Sequence, residues 1–308
     1  MVFLDLITKS ININQTRTLS LSTNISENLK TYINEKNRYK IILVEEGTGF
    51  LSINGTIHSF FTATLILLSE NDIVELGKCN NLKAYSIYFH PNAINSNLTF
   101  DKIKANDSSL SLTEIQDIVL LNQFVSQDSI STIGPITCQH LKQIIFDLHA
   151  QLNLQPDGYW PCRARSFLLE IILFIEKFYA KKLFITNQLT SLPSDDTNEI
   201  LLYISNNLSN KITISTLSKH LGINRNLIQK YVSTATGLSL MAYVSKLRIQ
   251  LACLLLRDTL VPINEVATRC GYNDLTNFGK QFKKLTGLTP SLYRTKIHAK
   301  SNDIINLV

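Results

Sequence analysis

Paired cysteines, a long apolar run and a charged leader are all missing from this 308-residue chain. Its five cysteines, Cys79, Cys138, Cys162, Cys253 and Cys270, are odd in number, widely scattered and never arranged as Cys-x-x-Cys. That spacing excludes a disulfide framework and a cysteine-built zinc site, and leaves reduced, mostly buried thiols. The longest nearly apolar stretch, residues 167–175, is interrupted by Glu170 and falls short of the about 20 residues a membrane span needs. The start, Met1-Val2-Phe3-Leu4-Asp5, has no positive segment ahead of an apolar run and does not read as a secretion signal. A cytoplasmic protein with no membrane partner is the expectation.

Hydrophobic residues make up 44% of the chain and charged ones 18%, which describes a folded protein with a sizeable core. The length suits two domains of roughly 100–200 residues each. The net charge of +6 is unevenly placed. Residues 1–194 hold 16 basic against 17 acidic side chains, and residues 195–308 hold 14 against 7. The whole basic excess lies in the last third, which suggests a polyanion as that third's partner, nucleic acid first and a membrane surface second.

From Tyr39 to Phe89 the chain reads as short strands broken by turns. Ile41, Ile42, Leu43 and Val44 form an apolar run in which all but Leu43 are β-branched, and Asn54-Gly55 between two further runs is a strong hairpin signal. The close strand spacing fits a sandwich or small barrel. Beyond Pro91 the period becomes helical, with helices expected at 113–125, 137–152 and 165–183. The third is apolar nearly all round, so it must be buried inside this chain or against a second copy. Residues 187–198 are polar, hold Pro193 and read as a linker.

The segment after the linker repeats one plan twice. Residues 214–220 form a short helix, Leu221-Gly222-Ile223 turns, and Asn224 caps a second helix to about residue 234. Residues 263–270 form the next short helix, Gly271-Tyr272 turns, and Asn273 or Asp274 caps a helix to residue 285. Two helices joined by a tight glycine-bearing turn make a helix-turn-helix, whose second helix enters the DNA major groove. One such pair is weak evidence; two, joined by a helix at 240–257 within the basic third, are much stronger.

The run from Val261 to Arg294 closely resembles the signature of AraC/XylS-type regulators, matching it at Ala267, Gly271, Tyr272, Phe278, Phe282, Lys283, Gly287, Pro290, Tyr293 and Arg294. Upstream, the segment Tyr243 to Arg248 and Ala252, Leu255 and Leu256 look like the family's linker helix, with Gly237 before it. The first unit departs from the pattern at Ser218, where the family favours Ala, and at Val232-Ser233, where it favours Phe-Lys. The resemblance covers residues 198–296 and implies a regulator, with activation of transcription ahead of repression.

Facing assigns the roles. Phe278 and Phe282, four apart, share a buried face, as do Ile228 and Val232. By resemblance, Arg225, Asn226, Gln229, Lys230, Thr276 and Lys280 stand at base-reading positions. Asn and Gln pair with adenine, Arg and Lys with guanine, and Thr touches a thymine methyl. Lys246, Lys283, Lys284 and Arg294 are expected on phosphates, where they set affinity without sequence. Leu275 and Gly279 offer little hydrogen bonding, so more of the discrimination is expected from the first unit. The joining helix should set the two recognition helices about one DNA turn, roughly 34 Å, apart.

The β-rich half resembles the cupin-type barrel found in the same family. Cupin metal sites use clustered histidines, whereas His58 and His90 each stand alone, so neither a metal, another cofactor nor catalysis is expected. DNA-repair relatives of the module depend on reactive cysteines that residues 1–194 do not provide. The expectation is an α+β protein: a cupin-like barrel with accessory helices over 1–185 that senses or dimerises, a linker over 186–198, and an all-α DNA-binding domain over 199–298. Its partners would be double-stranded promoter DNA and RNA polymerase, with a small-molecule effector and a second copy held through the 137–183 helices. Control by a protein partner of the N-terminal half is the alternative.

Overall fold

The computed structural model describes residues 7–11, 17–30, 33–60, 63–105, 110–124, 130–180, 188–189 and 194–305. A two-stranded ribbon, β1 (Thr8–Lys9) with β2 (Thr18–Leu19), precedes the main sheet. β3 (Leu21–Glu27) leads to the two longest strands, β4 (Tyr39–Ile53) and β7 (Val74–Phe89), which pair antiparallel from end to end. Asn54 and Gly55 turn the chain into β5 (Thr56–Phe60), with Ile53 opposite Thr56, so the hairpin lies where the sequence placed it. β6 (Thr64–Leu68) pairs with the first half of β4, while β5 pairs with the second half. β8 (Ile130–Thr132) extends β6, and β9 (Gln188–Leu189) extends β5.

The order β3-β7-β4-β5-β9, with β6 and β8 branching from β4, leaves the sheet open among the described residues. A closed barrel was expected from the sequence. Closure would require β3 to pair with β8 or β9, whereas β3 pairs with β7, β8 with β6 and β9 with β5. Period-two alternation puts Ile41, Leu43, Leu65, Leu67, Ile87 and Phe89 on one face, and Ile42, Val44, Ile66, Leu68 and Ala84 on the other.

Two short helices, α1 (Phe100–Ala105) and α2 (Leu112–Leu121), follow the sheet. Ser111 and Glu114 cap α2 reciprocally, and that helix ends before the expected residue 125, which lies outside the described residues. α3 (Pro135–Leu154) and α4 (Trp160–Ala180) then cover the first face of the sheet. α3 buries Leu141, Ile144, Ile145 and Leu148, the stripe legible in the sequence. α4 buries Leu168, Ile171, Ile172 and Ile175 but leaves Leu173 43% exposed, so it is apolar without being enclosed. Lys142 of α3 donates to Glu45 of β4 at 2.8 Å. Burial raises that carboxyl, but hydrogen bonds from Lys142, Tyr85 and Lys83 outweigh it and hold Glu45 at about 2.

The expected linker contains structure. β9 lies within it, and α5 (Asp195–Asn206) begins inside it, with Ser194 accepting from the Thr197 N–H. The polar first turn, Asp195-Asp196-Thr197-Asn198, reads as loop, whereas Ile200, Leu201 and Ile204 are buried. Residues 186–187 and 190–193 lie outside the described residues. Six more helices complete the C-terminal half: α6 (Ile214–Leu221), α7 (Arg225–Thr236), α8 (Leu240–Asp258), α9 (Ile263–Arg269), α10 (Leu275–Thr286) and α11 (Pro290–Ile305). Among the described residues, no single helix is long and apolar enough to cross a membrane.

Among the described residues, the halves meet through the following contacts. Phe50 and Ile57 of the sheet join the core around α5 and α8, and Lys78 pairs with Asp195 at 2.7 Å. At the far end of α8, Asp258 accepts from the Thr137 hydroxyl at 3.1 Å, and the Arg257 guanidinium lies 4.5 Å from the Phe178 ring centre.

Candidate nucleic-acid interface

The first helix-turn-helix is built from local capping. Thr213 and Thr216 form a reciprocal capping box at the start of α6, and Gly222 closes that helix with φ +70°, its N–H donating to the Ser218 carbonyl. Asn224 then caps α7 by accepting from the Asn226 N–H at 2.8 Å. Ile228, Val232 and Ala235 point into the core. Arg225, Asn226 and Lys230 are therefore exposed and Gln229 is half-buried, all on the first two turns of α7. The departures at Ser218 and Val232-Ser233 are accommodated: Val232 is fully buried and Ser233 lies in solvent.

The second unit repeats the scheme with larger side chains. Cys270 ends α9, and Gly271 turns the chain with φ +79°. Asp274 is the cap of the two candidates, accepting from Thr276 N–H at 2.8 Å and Asn277 N–H at 3.3 Å. Phe278 and Phe282 are fully buried and stack in series between Tyr272 and Tyr293, with ring centres 5.3 to 5.7 Å apart. This fixes the roll of α10 and leaves Leu275, Thr276 and Lys280 exposed. Gly279 faces open space, where an added Cβ would meet nothing within 4 Å. Asn277, a residue not expected at the interface, is also exposed, beside Thr276 and three residues before Lys280 on α10.

The four expected phosphate ligands are not alike. Lys283 and Lys284 are exposed in the last turn of α10, where they also complement the helix dipole. Lys246 is half-buried midway along α8, and burial lowers its ammonium. Arg294, also half-buried, donates to the Val261 carbonyl at 2.5 Å and ties α11 to the loop before α9. His58 is buried in β5, and His90 caps a 3-10 turn by accepting from Asn92 N–H. Among the described residues, no three metal-ligating side chains come together.

Two exposed, polar helix starts on paired helix-turn-helix units, joined by one helix, are what the comparisons with known proteins bear on. A family model described as a helix-turn-helix domain matches residues 217–296. The HTH-type transcriptional activator AarP of Providencia stuartii is 30% identical over 105 residues, covering 34% of this chain and 78% of that relative. The chain belongs to the AraC/XylS family of transcription regulators. The HTH-type transcriptional activator RhaR of Mannheimia succiniciproducens is 22% identical over 264 residues, 85% of this chain and 86% of that one. This second likeness extends into the sheet-rich half. A solved C-terminal domain of AraT, a response regulator from Geobacillus stearothermophilus, is 28% identical, covering 34% of this chain and 88% of that chain at a TM-score of 0.34. AraC/XylS members regulate transcription by binding DNA, and the family is non-enzymatic.

Proposed function

We propose that this chain activates transcription by reading two adjacent major grooves of promoter DNA, one with α7 and one with α10. The observation that carries this is the pairing of buried and exposed faces on both helices. Ile228 and Val232, then Phe278 and Phe282, anchor each helix and leave its N-terminal polar residues outward. In this reading Arg225, Asn226, Gln229, Lys230, Thr276 and Lys280 contact base edges. Lys283 and Lys284 contact phosphates, and Lys246 and Arg294 do so only through donors not engaged within the fold. RNA polymerase is the partner that an activator recruits from such a site.

We assign residues 199–298 to DNA binding, 186–198 to the connection and 1–185 to signal input, with a cupin-like ancestry for the sheet. A groove of about 820 Å³ between β3, β7 and α3 supports a small-molecule input. Ile25, Leu82, Tyr85 and Phe146 give it an apolar side, and Glu27 and Lys83 a polar one. The exposed Phe146 on α3 and Leu173 on α4 support pairing of two copies through residues 137–183.

Selection from random double-stranded DNA by the purified protein, at two salt concentrations, tests the DNA reading. Enrichment of a site with two elements about ten base pairs apart is expected. Retention of DNA with no enriched sequence would reduce the basic third to an electrostatic grip. Thermal shift against small molecules, repeated with Phe146→Ala, tests the groove.

A further inference from the structure

Each helix-turn-helix unit has its own core, the first extended by Phe50 and Ile57 of the sheet, and α8 is shared between them. Tyr243, Val244 and Leu247 belong to the core of the first unit; Ile249, Ala252 and Leu256 belong to the core of the second. The division falls at Arg248. Its Nε donates to the Leu208 carbonyl at 2.9 Å and a terminal nitrogen donates to the Asn210 carbonyl at 2.6 Å. Both carbonyls belong to the loop between α5 and α6, in the first unit. The same guanidinium lies 5.6 Å from the centre of the Tyr272 ring, in the turn of the second unit. That turn comes so near that a Cβ on Gly271 would stand 2.4 Å from the Leu208 oxygen and 2.8 Å from an Arg248 nitrogen. Ser245, one turn earlier on α8, meets the Tyr272 hydroxyl at 3.3 Å.

We propose that Arg248 is a positioning residue that fixes the rotation of the second unit about α8 relative to the first, and thereby sets the element spacing on DNA that the protein accepts. The inference rests on the reading of both units as DNA-binding. One base pair more or less between the elements turns the second by about 35° around the duplex, at 10–10.5 base pairs per turn. Two cores joined by one helix could follow part of that rotation by bending the helix between them. A planar fork bonded to two carbonyls of one unit and set over a ring of the other resists it. Lysine carries a point charge and cannot reproduce that fork.

The experiment uses the full chain and the selected two-element DNA, with the spacing lengthened and shortened by one base pair, beside DNA carrying one element. Wild-type protein is expected to lose about tenfold in affinity at either altered spacing. Arg248→Ala and Arg248→Lys are expected to lose less than about threefold there, while binding single elements within about threefold of wild type. Thermal unfolding checks that each variant folds, and Arg248→Lys decides if Arg248→Ala does not fold. A folded variant that keeps the wild-type spacing preference overturns the proposal. So does equal weakening on single and double elements, which would make Arg248 a phosphate ligand. Wild-type protein indifferent to spacing overturns the two-unit reading itself, and the proposal with it.

Discussion

Gln229 and Lys230 differ from Lys283 and Lys284 in what their loss should do, although all four are polar side chains on recognition helices. The first pair stands within the first two turns of α7, beyond the Asn224 cap and opposite the buried Ile228. Replacing Lys230 or Gln229 with Ala should weaken specific binding by about 1–3 kcal/mol and relax base preference locally. Competition between specific and random DNA measures this; equal losses on both would make the residue a phosphate contact. Lys284→Ala should instead weaken all sequences alike and lower the slope of log affinity against log salt by about one. An unchanged slope would remove Lys284 from the phosphate set. The exposure of these residues was legible in the sequence, because buried positions four apart dictate what remains outside. The engagement of Arg294 by the Val261 carbonyl was not. A sequence shows where a guanidinium stands in the chain, and the folded backbone alone shows which carbonyl it meets.

At the scale of elements, the two turns carry the same residue under different constraints. Gly222 and Gly271 both have positive φ, at +70° and +79°, yet a Cβ on Gly222 meets open space while one on Gly271 meets the Leu208 oxygen. Gly222→Ala should therefore cost only the left-handed conformation, roughly 1–2 kcal/mol. Gly271→Ala should cost clearly more, because backbone of the first unit must also move. Denaturant melts of both variants decide it, and equal costs would mean the close approach at Gly271 relaxes freely. The helix-turn-helix elements were readable because caps, glycines and apolar spacing agree locally. α5 was not, since its start is a run of polar residues and its apolar stripe comes later. Sheet closure was equally out of reach, because strand pairing across long separations leaves no local signal. Asn54-Gly55 fixes one hairpin and says nothing of whether β3 meets β8.

The whole molecule is a sheet-rich half docked on a helical one, and β5 lies between them. Ile57 of β5 packs into the core of the first helix-turn-helix unit, and His58, its neighbour, is buried in the same strand. Burial pushes the His58 imidazole below its ordinary value of 6.5. His90 is lowered chiefly by burial, despite its bond from Asn92, and His149 is lowered by burial as well. Well above pH 6.5 these rings are neutral in both the folded and the unfolded chain, and contribute no pH dependence. As the pH falls below that value, the unfolded chain takes up protons that the folded chain resists, so stability must fall. The melting temperature should therefore drop steadily between pH 7 and 5.5, before the carboxylates begin to titrate. His58→Gln should flatten part of that slope and leave the share due to His90 and His149. Since β5 packs the sheet against the first unit through Ile57, the same acidification should loosen the docking of the halves. Hydrogen exchange at β5 and at α5 should rise together in the wild type and stay low in His58→Gln. A wild-type slope that persists unchanged in His58→Gln would place the sensitivity at the other two histidines, and leave the junction between the halves indifferent to pH.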